Sequence, residues 1–448
     1  MPGSSAGQDT FVGLTICRPA AIVNIRVYLI VKLLLLVVLG TGVALRGVVP
    51  AFTAITDDFP EYFTSATIAR ETQDAAKFYD GAWFIAQVRH YGVGNGINPG
   101  EFRPYPPATA LLLMPLTDFK PLTALRIVTV VSLTCLFCST LLLSRLFRWD
   151  LLDSALFVLA SGWALHSGLR DGHPYILIST FCLLGYHLYR NRMPWLAGVC
   201  LGMFVPIKYY PLCILAAFVL RRQWRVAMGG VIAIAGVTLL SIGVLGWQVH
   251  QIFLDDVLFN HLAGHVEPGP RFIAIFQSFD TLFDRLFIFD PVRNPHPVLD
   301  APLLRTVAVI GTKTLMVLAA AAALVKLTRG TTANAIAPAI GILGTLALLI
   351  APGSGTYAFV LLWLPVALLT AHFLSEGARV PAYLILGTYV LIGFIPYGFT
   401  YRFEGRGGLT VLAFPRLFLM LAMFVVCICT ILLQRSSVKL SRAELAHV

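Results

Sequence analysis

The chain has few charged residues. Asp, Glu, Lys and Arg together make up 12% of its 448 residues, against about 25% in ordinary soluble domains. Hydrophobic residues make up 58%, and apolar runs of the roughly 20 residues needed to cross a bilayer recur from end to end. The scarcity of charge argues against a soluble globular protein. The sequence therefore predicts an all-α, polytopic membrane protein.

Cysteine is absent from the two long polar segments, residues 51–106 and 247–302. A disulfide framework is therefore not expected. The spacing Cys135-Leu-Phe-Cys138 matches a redox motif, but in the middle of a helix it is typical of apolar packing. All the cysteines lie in predicted spans or in a terminal tail: Cys17, Cys135, Cys138, Cys182, Cys200, Cys213, Cys427 and Cys429.

The chain also lacks a soluble basic domain and a convincing internal repeat. Its net charge is +11, but the basic residues lie in short segments at the ends of apolar runs. There they indicate membrane topology rather than nucleic-acid binding. The absence of a repeat argues against a transporter, because many transporters are built from repeats.

Twelve apolar segments are predicted to form membrane helices. Several are short for a span, and we expect these to tilt or to pack inside the bundle. The apolar piece Ala108–Leu116 is too short to cross and is interpreted as re-entrant or interfacial. A cleaved signal peptide at Leu34–Leu39 is the alternative for the first span, but later spans keep their orientation only if the first one crosses. The predicted spans are residues 27–48, 121–146, 151–169, 174–189, 194–207, 209–220, 226–246, 303–326, 333–351, 357–374, 381–397 and 410–433.

Basic residues gather at alternate ends of these segments and so predict the orientation. The positive-inside bias places the tails, residues 1–26 and 434–448, in the cytoplasm. Residues 27–433 then form one membrane domain with two outer loops, 51–106 and 247–302.

Both outer loops are expected to carry helices on the outer surface. The first loop fits a helix start at Asp58 and a second helix over Gly81–Tyr91. The second loop contains an amphipathic stretch, Ile273–Phe289, which is typical of a helix lying flat on the membrane.

Ionisable residues that lie unusually close to apolar segments fall on the outer side of this topology. Charge beside hydrocarbon is costly and marks functional sites in many membrane proteins. A transporter more often places such groups near the bilayer midplane. The pattern therefore indicates a reaction or binding site at the outer boundary. The residues are Asp57, Asp58, Arg103, Arg170, Asp171, His173, Lys208, Asp256, His261, His265, Arg402, Glu404 and Arg406.

Asp58 has two interpretations. It precedes Phe59 and Pro60 and fits a helix N-cap, with Glu61 as the second half of a capping box. Its position just outside the first span equally suits a general base that takes a proton from an attacking hydroxyl. The residues alone leave both interpretations open.

Lys208 and Arg103 are candidate phosphate ligands. Lys208 follows a short apolar span, so it either anchors the chain at the membrane interface or binds a phosphate at headgroup depth. Arg103 leaves the same two alternatives open, in a turn whose prolines restrict the backbone.

His261 and His265 are four residues apart, as on one face of a helix. A metal ion would need further ligands, and Gly264 and Pro268 disfavour a helix there. No metal site and no cofactor are predicted. Two tight outer turns, Asp171–Pro174 and Pro352–Tyr357, are either simple connections or parts of the site.

Several short motifs follow one another along the chain. They are Asp58-Phe59-Pro60-Glu61-Tyr62; Tyr105-Pro106-Pro107 with Met114-Pro115-Leu116; Ala197-Gly198 and Gly202 with Lys208 and Pro211; Arg221-Arg222-Gln223-Trp224-Arg225; and Gln277-Ser278 with Arg285. In order and spacing this set resembles glycosyltransferase family 87, the polyprenol-phosphate-dependent mannosyltransferases of the C-type superfamily. The resemblance extends from the first span to at least Tyr357.

The chain departs from the family pattern at three places. Gly172-His173-Pro174-Tyr175 stands where the family usually has Gly-Gln-x-Asn. Phe276 stands where Asn is common, and Thr356-Tyr357 where a His is often found. These positions bear on the preference for sugar and acceptor.

The resemblance implies a C-type glycosyltransferase fold and transfer of a hexose, usually mannose, from a polyprenyl-phosphate donor to a hydroxyl of a lipid or glycan acceptor. Asp58 would be the catalytic base, and Lys208 and Arg103 would neutralise the donor phosphate. One base and one displacement imply inversion, so that a β-linked donor gives an α product. Metal is not required, because basic residues can stabilise the leaving phosphate. The residues expected to bind substrate are Tyr62, Tyr105, His173, His261, Gln277, Ser278 and Tyr357.

Two other functions are weighed against this one: a transporter or flippase of a lipid-linked sugar, and a membrane transferase for another lipid-linked group such as a pentose. Asp58→Asn separates enzyme from transporter, because only catalysis should be lost. Under the favoured hypothesis the protein lies in the cell membrane with its site on the outer face. Its expected partners are the lipid-linked donor, the acceptor and membrane lipids.

Overall fold

The computed structural model describes residues 25–56, 58–71, 74–93, 100–103, 105–262, 270–329 and 336–433. Helices make up 79% of the structure, and its described residues form no strand. One isolated bridge pairs Asp290 with Asn294. The predicted all-α class is confirmed. The basic tail 434–448, nearly all of the tail 1–26, Asp57 and His265 lie outside the described residues.

The first half of the described chain contains the first long apolar helix, the segment predicted to be the first outer loop, and a series of helical hairpins. A π-helix, Ala44–Val48, continues α1 into α2, and short 3₁₀ helices occupy Ala75–Tyr79, Pro107–Leu112 and Met114–Leu116. The α-helices are α1 (Ile25–Val43), α2 (Val49–Thr53), α3 (Phe59–Arg70), α4 (Gly81–His90), α5 (Pro121–Phe147), α6 (Leu151–Leu159), α7 (Trp163–Arg170), α8 (Tyr175–Arg190), α9 (Pro194–Gly202), α10 (Tyr210–Leu220) and α11 (Trp224–Leu245).

The second half begins with the segment predicted to be the second outer loop. A π-helix occupies Phe253–Leu258, and 3₁₀ helices occupy Pro270–Phe272, Thr356–Leu362 and Gly407–Ala413. The α-helices are α12 (Trp247–Ile252), α13 (Phe259–Leu262), α14 (Phe279–Phe287), α15 (Pro302–Arg329), α16 (Ile336–Ile350), α17 (Trp363–Ser375), α18 (Arg379–Phe394), α19 (Tyr397–Phe403) and α20 (Pro415–Leu433).

Six helices in the described part of the chain are long and apolar enough to cross a membrane. They are Arg26–Thr53, Pro121–Phe147, Trp224–Leu245, Pro302–Thr328, Thr356–Ser375 and Pro415–Leu433. A seventh is counted if α18 and α19, which meet at an 80° bend, form one broken span. The other predicted spans contain helices that are shorter or interrupted, so the structure shows fewer full-length spans than the twelve expected.

Gly162 explains one interruption. It separates α6 from α7 within the predicted span 151–169, and its backbone has a positive φ of 51°, which glycine adopts without a steric penalty. A Cβ at this position would overlap the carbonyl oxygen of Gly393 in α18. The break therefore lets the connection between α6 and α7 pack directly against α18, and it interrupts the predicted span.

The molecule has two apolar cores. The larger core lies in the helix bundle, where 78% of the apolar window in Thr356–Ser375 is buried, against 11% in the first helix. The smaller core is built by the first outer loop around Phe59, Phe78 and Phe102, with α12 packed against it. The 3₁₀ helix Thr356–Leu362 and α17 are thus central, and the outer loop forms a separate cap of helices.

The two helices predicted for the first loop are present, as α3 and α4. However, α3 is buried along nearly its whole length, because the loop carrying Pro107–Leu112 packs over it. In the second loop, α14 does not expose its polar face: Asp280, Asp284 and Arg285 are buried. Their partners come from other segments, as described below.

Candidate active site

Asp58 lies just before α3 and faces a histidine from another hairpin. Its side chain makes no capping hydrogen bond to α3. Instead its Oδ2 lies 3.2 Å from Nε2 of His173, and the Asp58 side chain is 28% exposed while that of His173 is 1% exposed. The capping interpretation therefore lacks the hydrogen bond it requires. The carboxylate lies beside a buried ring and is still open to a substrate.

The turn between α7 and α8 brings His173 to this position. Gly172 has a φ of 66°, and a Cβ there would lie 2.9 Å from the Phe59 ring, so the turn packs directly against the start of α3. Thr56 donates a 2.8 Å hydrogen bond to Oδ1 of Asp171, which also pairs with Arg170. Asp171 thus ties the segment before Asp58 to the turn that carries His173.

Tyr62 follows Asp58 by about one helical turn and contacts the other side of the same imidazole. Its Oη lies 3.3 Å from Nδ1 of His173. Its ring packs against Tyr105, with ring centroids 4.8 Å apart. Tyr79 donates a 2.8 Å hydrogen bond to the backbone oxygen of Tyr105. The first outer loop therefore fixes both tyrosines against His173.

Lys208 lies in the turn between α9 and α10 and completes the cluster. Its Nζ lies 4.1 Å from the ring centroid of Tyr105 and 5.3 Å from that of Tyr175, distances at which an ammonium is attracted to an aromatic ring. Tyr357 joins from the central 3₁₀ helix, with its ring 3.7 Å from that of His173 and 5.2 Å from that of Tyr175. Side chains from both apolar cores thus meet at one site.

The electrostatics of the cluster follow from burial. Burial lowers the pKa of Lys208 to about 8, although the charges of Asp58 and Glu61 oppose the shift. Burial, together with the positive charges of Lys208 and Arg170, holds the pKa of His173 well below its usual value. At neutral pH the cluster therefore presents a neutral imidazole beside a carboxyl group and a cation.

Arg103 lies at the edge of this cluster. It is close enough to Tyr79 to act electrostatically on that phenol, and it precedes Tyr105 by two residues. The backbone of α13 includes His261, but the side chain of that residue lies outside the part of the structure that is described. Its place relative to the cluster stays a prediction.

Gln277 and Ser278 lie in a different environment from the one expected. Both are fully buried. Gln277 donates to the backbone oxygen of Ala413 at 3.0 Å and accepts from the amide of Arg416 at 3.1 Å. Ser278 caps α14 and donates to the backbone oxygen of Pro352 at 2.7 Å. Their polar atoms hold the turn that leads to Tyr357 rather than facing the cluster.

A second group of buried charges anchors α14. Asp284 accepts hydrogen bonds from Arg271 at 2.8 Å and from Arg305 at 2.9 Å. Asp280 lies 2.6 Å from Nζ of Lys313, and Arg285 pairs with Glu404. Because Arg305 and Lys313 belong to α15, these pairs attach the second loop to a long apolar helix.

Two residues at the site were not among the predicted site residues. Glu61 is buried and acts electrostatically on Lys208, and Tyr175 stacks on Tyr357. The spacing of Asp58 and Glu61 carried a signal for Glu61, since carboxyls three residues apart share one face of a helix, but the same spacing is typical of a capping box. For Tyr175 the sequence indicated only that the residue differs from the one usual in the family at this position.

The arrangement suits proton removal from a hydroxyl next to an anion-binding cation. A partly exposed carboxylate can accept a proton, and an ammonium can stabilise charge that develops on a leaving group. Among the residues that the structure describes, no group of three or more His, Cys, Asp or Glu side chains is placed to hold a metal ion.

A curated relative matches part of this sequence. Over 161 residues the chain is 28% identical to the polyprenol-phosphate-mannose-dependent α-(1-2)-phosphatidylinositol mannoside mannosyltransferase of Mycobacterium tuberculosis. The alignment covers 32% of this chain and 37% of that protein. No solved structure matches the chain.

The family model for glycosyltransferase family 87 matches residues 103–352. This region includes His173, Lys208 and the second outer loop, and it begins after Asp58. The match covers more than half of the sequence, and the apolar helices agree with a membrane enzyme. The chain belongs to glycosyltransferase family 87.

Proposed function

We propose that this protein transfers a hexose, with mannose as the first candidate, from a polyprenyl-phosphate donor to a hydroxyl of a lipid or glycan acceptor. Family membership supports the glycosyl transfer. The donor and the sugar are supported by the name of the mycobacterial relative, of which only 37% is aligned.

The observation that carries the proposal is the placing of Asp58 and Lys208 in one cluster. The two residues are 150 positions apart in sequence, yet a chain of contacts through His173, Tyr357 and Tyr175 connects them. A carboxylate open to substrate and a largely enclosed ammonium are the two groups that sugar transfer from a lipid phosphate requires. Tyr105 and Tyr175 hold the ammonium in place.

The proposed reaction is a single displacement. Asp58 takes the proton of the acceptor hydroxyl, and the acceptor oxygen forms a bond to the anomeric carbon of the sugar. The bond between that carbon and the phosphate oxygen breaks, and its electron pair leaves with the polyprenyl phosphate. Lys208, with Arg103 at the edge of the site, stabilises this anion. One displacement inverts the anomeric carbon, so a β-linked donor gives an α product.

The proposed setting is the outer face of a multi-pass membrane protein with a C-type fold and about twelve spans. The residues of the cluster lie in or next to segments that the distribution of basic residues assigns to the outer side. They are Tyr62, Tyr105, His173, Lys208 and Tyr357. A polyprenyl chain would lie in the bilayer with its phosphate at headgroup depth, next to Lys208. The short helices would pack within the bundle as partial or tilted spans.

The test is an assay of the purified full-length protein with radiolabelled polyprenyl-phosphate-mannose and a panel of acceptors that includes phosphatidylinositol mannosides. Transfer of label to an acceptor, with an α linkage in the product by NMR, is the expected result. Polyprenyl-phosphate-linked pentose and glucose serve as competing donors. Movement of labelled donor across a vesicle membrane without transfer would replace the enzyme with a flippase.

A further inference from the structure

Glu61 is the second carboxyl group of the site. It follows Asp58 by three residues, so both side chains leave the start of α3 on the same side. The Asp58 side chain is 28% exposed, whereas Glu61 is 6% exposed. The two carboxyls share one helix and one cation, Lys208, but only Asp58 is open to a substrate.

Gly100 encloses Glu61 tightly. A Cβ built on Gly100 would overlap Oε1 of Glu61, so a larger residue at this position would displace the carboxyl. The hydroxyl of Tyr105 and the amide of Gly100 lie close enough to the carboxyl to act on it, and both oppose the rise in its pKa. The surroundings of Glu61 are therefore a fitted polar niche within the smaller apolar core.

The charges of the site do not balance if both carboxyls are ionised. Asp58 and Glu61 would then set two negative charges against Lys208 within the cluster and Arg103 at its edge, and a phosphodiester donor would add a third negative charge. An unpaired buried carboxylate is costly, and when two carboxyls share a site one of them is pushed towards its neutral form. Burial and the charge of Asp58 raise the pKa of Glu61 well above its usual value.

We propose that Glu61 works as a neutral carboxylic acid that prepares the site for a lipid-phosphate donor. As a neutral group it leaves the charge of Lys208 available to the donor phosphate, and its hydroxyl adds a hydrogen-bond donor to the site. The inference rests on the proposed function, because it concerns the binding of a lipid-phosphate sugar. Glu61 is a positioning residue in this account, and Asp58 remains the base.

The groups that face Glu61 come from every element around it. Asp58 and Tyr62 lie at the start of α3, Tyr105 lies in the covering loop, Lys208 precedes α10, and Tyr357 begins the central 3₁₀ helix. Burial raises the pKa of Tyr62 and of Tyr105 well above the usual value, so these phenols stay protonated. Asp58 and Lys208 are therefore the charges that decide the state of Glu61.

The kinetic test compares Glu61→Gln with Glu61→Ala in the purified full-length protein. Gln keeps the size and the hydrogen-bond donor of a neutral acid, so kcat and KM for polyprenyl-phosphate-mannose should stay within about threefold of wild type at neutral pH. Ala should raise the KM for the donor by about tenfold or more while kcat changes less. Loss of turnover in Glu61→Gln, or an unchanged KM in Glu61→Ala, would overturn the proposal.

An infrared test reads the protonation state without any substrate. The spectrum of wild type minus that of Glu61→Gln should contain the C=O band of a protonated carboxyl. The matched control is Glu71→Gln, an exposed glutamate just after the same helix, whose difference spectrum should contain carboxylate bands only. Carboxylate bands in the Glu61 difference would refute the inference. Failure of the proposed function is a separate result, namely no sugar transfer by the wild-type protein.

Discussion

Replacing Lys208 with Met tests the cation of the site without disturbing its packing. The Lys208 ammonium lies against the rings of Tyr105 and Tyr175, and a thioether packs well against aromatic rings. The expected loss is that of one charge-assisted hydrogen bond to phosphate, about 1.5–3 kcal/mol. At about 1.36 kcal/mol for each tenfold change, kcat/KM for the donor should fall by roughly 10- to 150-fold.

The same substitution should not lower the melting temperature. A buried ammonium carries a desolvation cost, which is why the pKa of Lys208 is lowered, and an apolar residue of similar volume removes that cost. The carboxylate left behind, Asp58, is 28% exposed and can be solvated by water. The control is Lys77→Met, an exposed lysine of the first outer loop that is paired with Asp74 and lies near the ring of Trp83. Steady-state kinetics and thermal melts in detergent provide both readouts. A kcat/KM of Lys208→Met within about threefold of wild type would reduce Lys208 to an interface anchor.

Two further predictions concern pH and the turn that carries His173. Donor binding should weaken as the pH rises through about 8, where Lys208 loses its proton. In Lys208→Arg this loss of binding should move to higher pH, because guanidinium stays charged. A Lys208→Arg protein that loses donor binding over the same pH range as wild type would contradict this. Gly172→Ala should lower the stability more than Gly92→Ala does. Both glycines have positive φ, so both variants share a backbone penalty of about 1–2 kcal/mol. Of the two, only Gly172 has neighbours that an added Cβ would meet. Equal shifts in melting temperature for the two variants would show that the contact with Phe59 is unimportant.

Much of the site was accessible from the sequence because its residues lie where apolar segments end. Asp58, His173, Lys208 and Tyr357 each border a predicted span, and the topology assigned those borders to one side of the membrane. The structure brings Asp58, His173 and Tyr357 into contact, and Lys208 joins them through the ring of Tyr175. Which rings would pair, such as His173 with Tyr357, depended on how the hairpins pack and could not be read from the order of motifs.

Other features depended on partners that are distant in sequence. The polar residues of α14 resemble a solvent-facing side, but they are buried because Arg305 and Lys313 of α15 neutralise Asp284 and Asp280. The side-chain amide of Gln277 likewise forms hydrogen bonds with backbone groups of residues 413 and 416. Helix lengths were overestimated where glycines permit close contact, as at Gly162, because hydrophobicity alone does not reveal a break in the backbone.

The most direct test of the account is the turnover of Asp58→Asn. Asn has nearly the same shape, and the Asp58 side chain caps no helix, so the variant should fold as well as wild type. It cannot accept a proton at neutral pH, and loss of a general base should slow sugar transfer by about 10²–10⁴-fold. The matched control is Asp118→Asn, an exposed carboxylate paired with Arg70, which should leave turnover unchanged. Binding of the lipid-phosphate donor should also persist in Asp58→Asn. A well-folded Asp58→Asn protein with near-normal turnover would contradict the central claim that this carboxylate is the base.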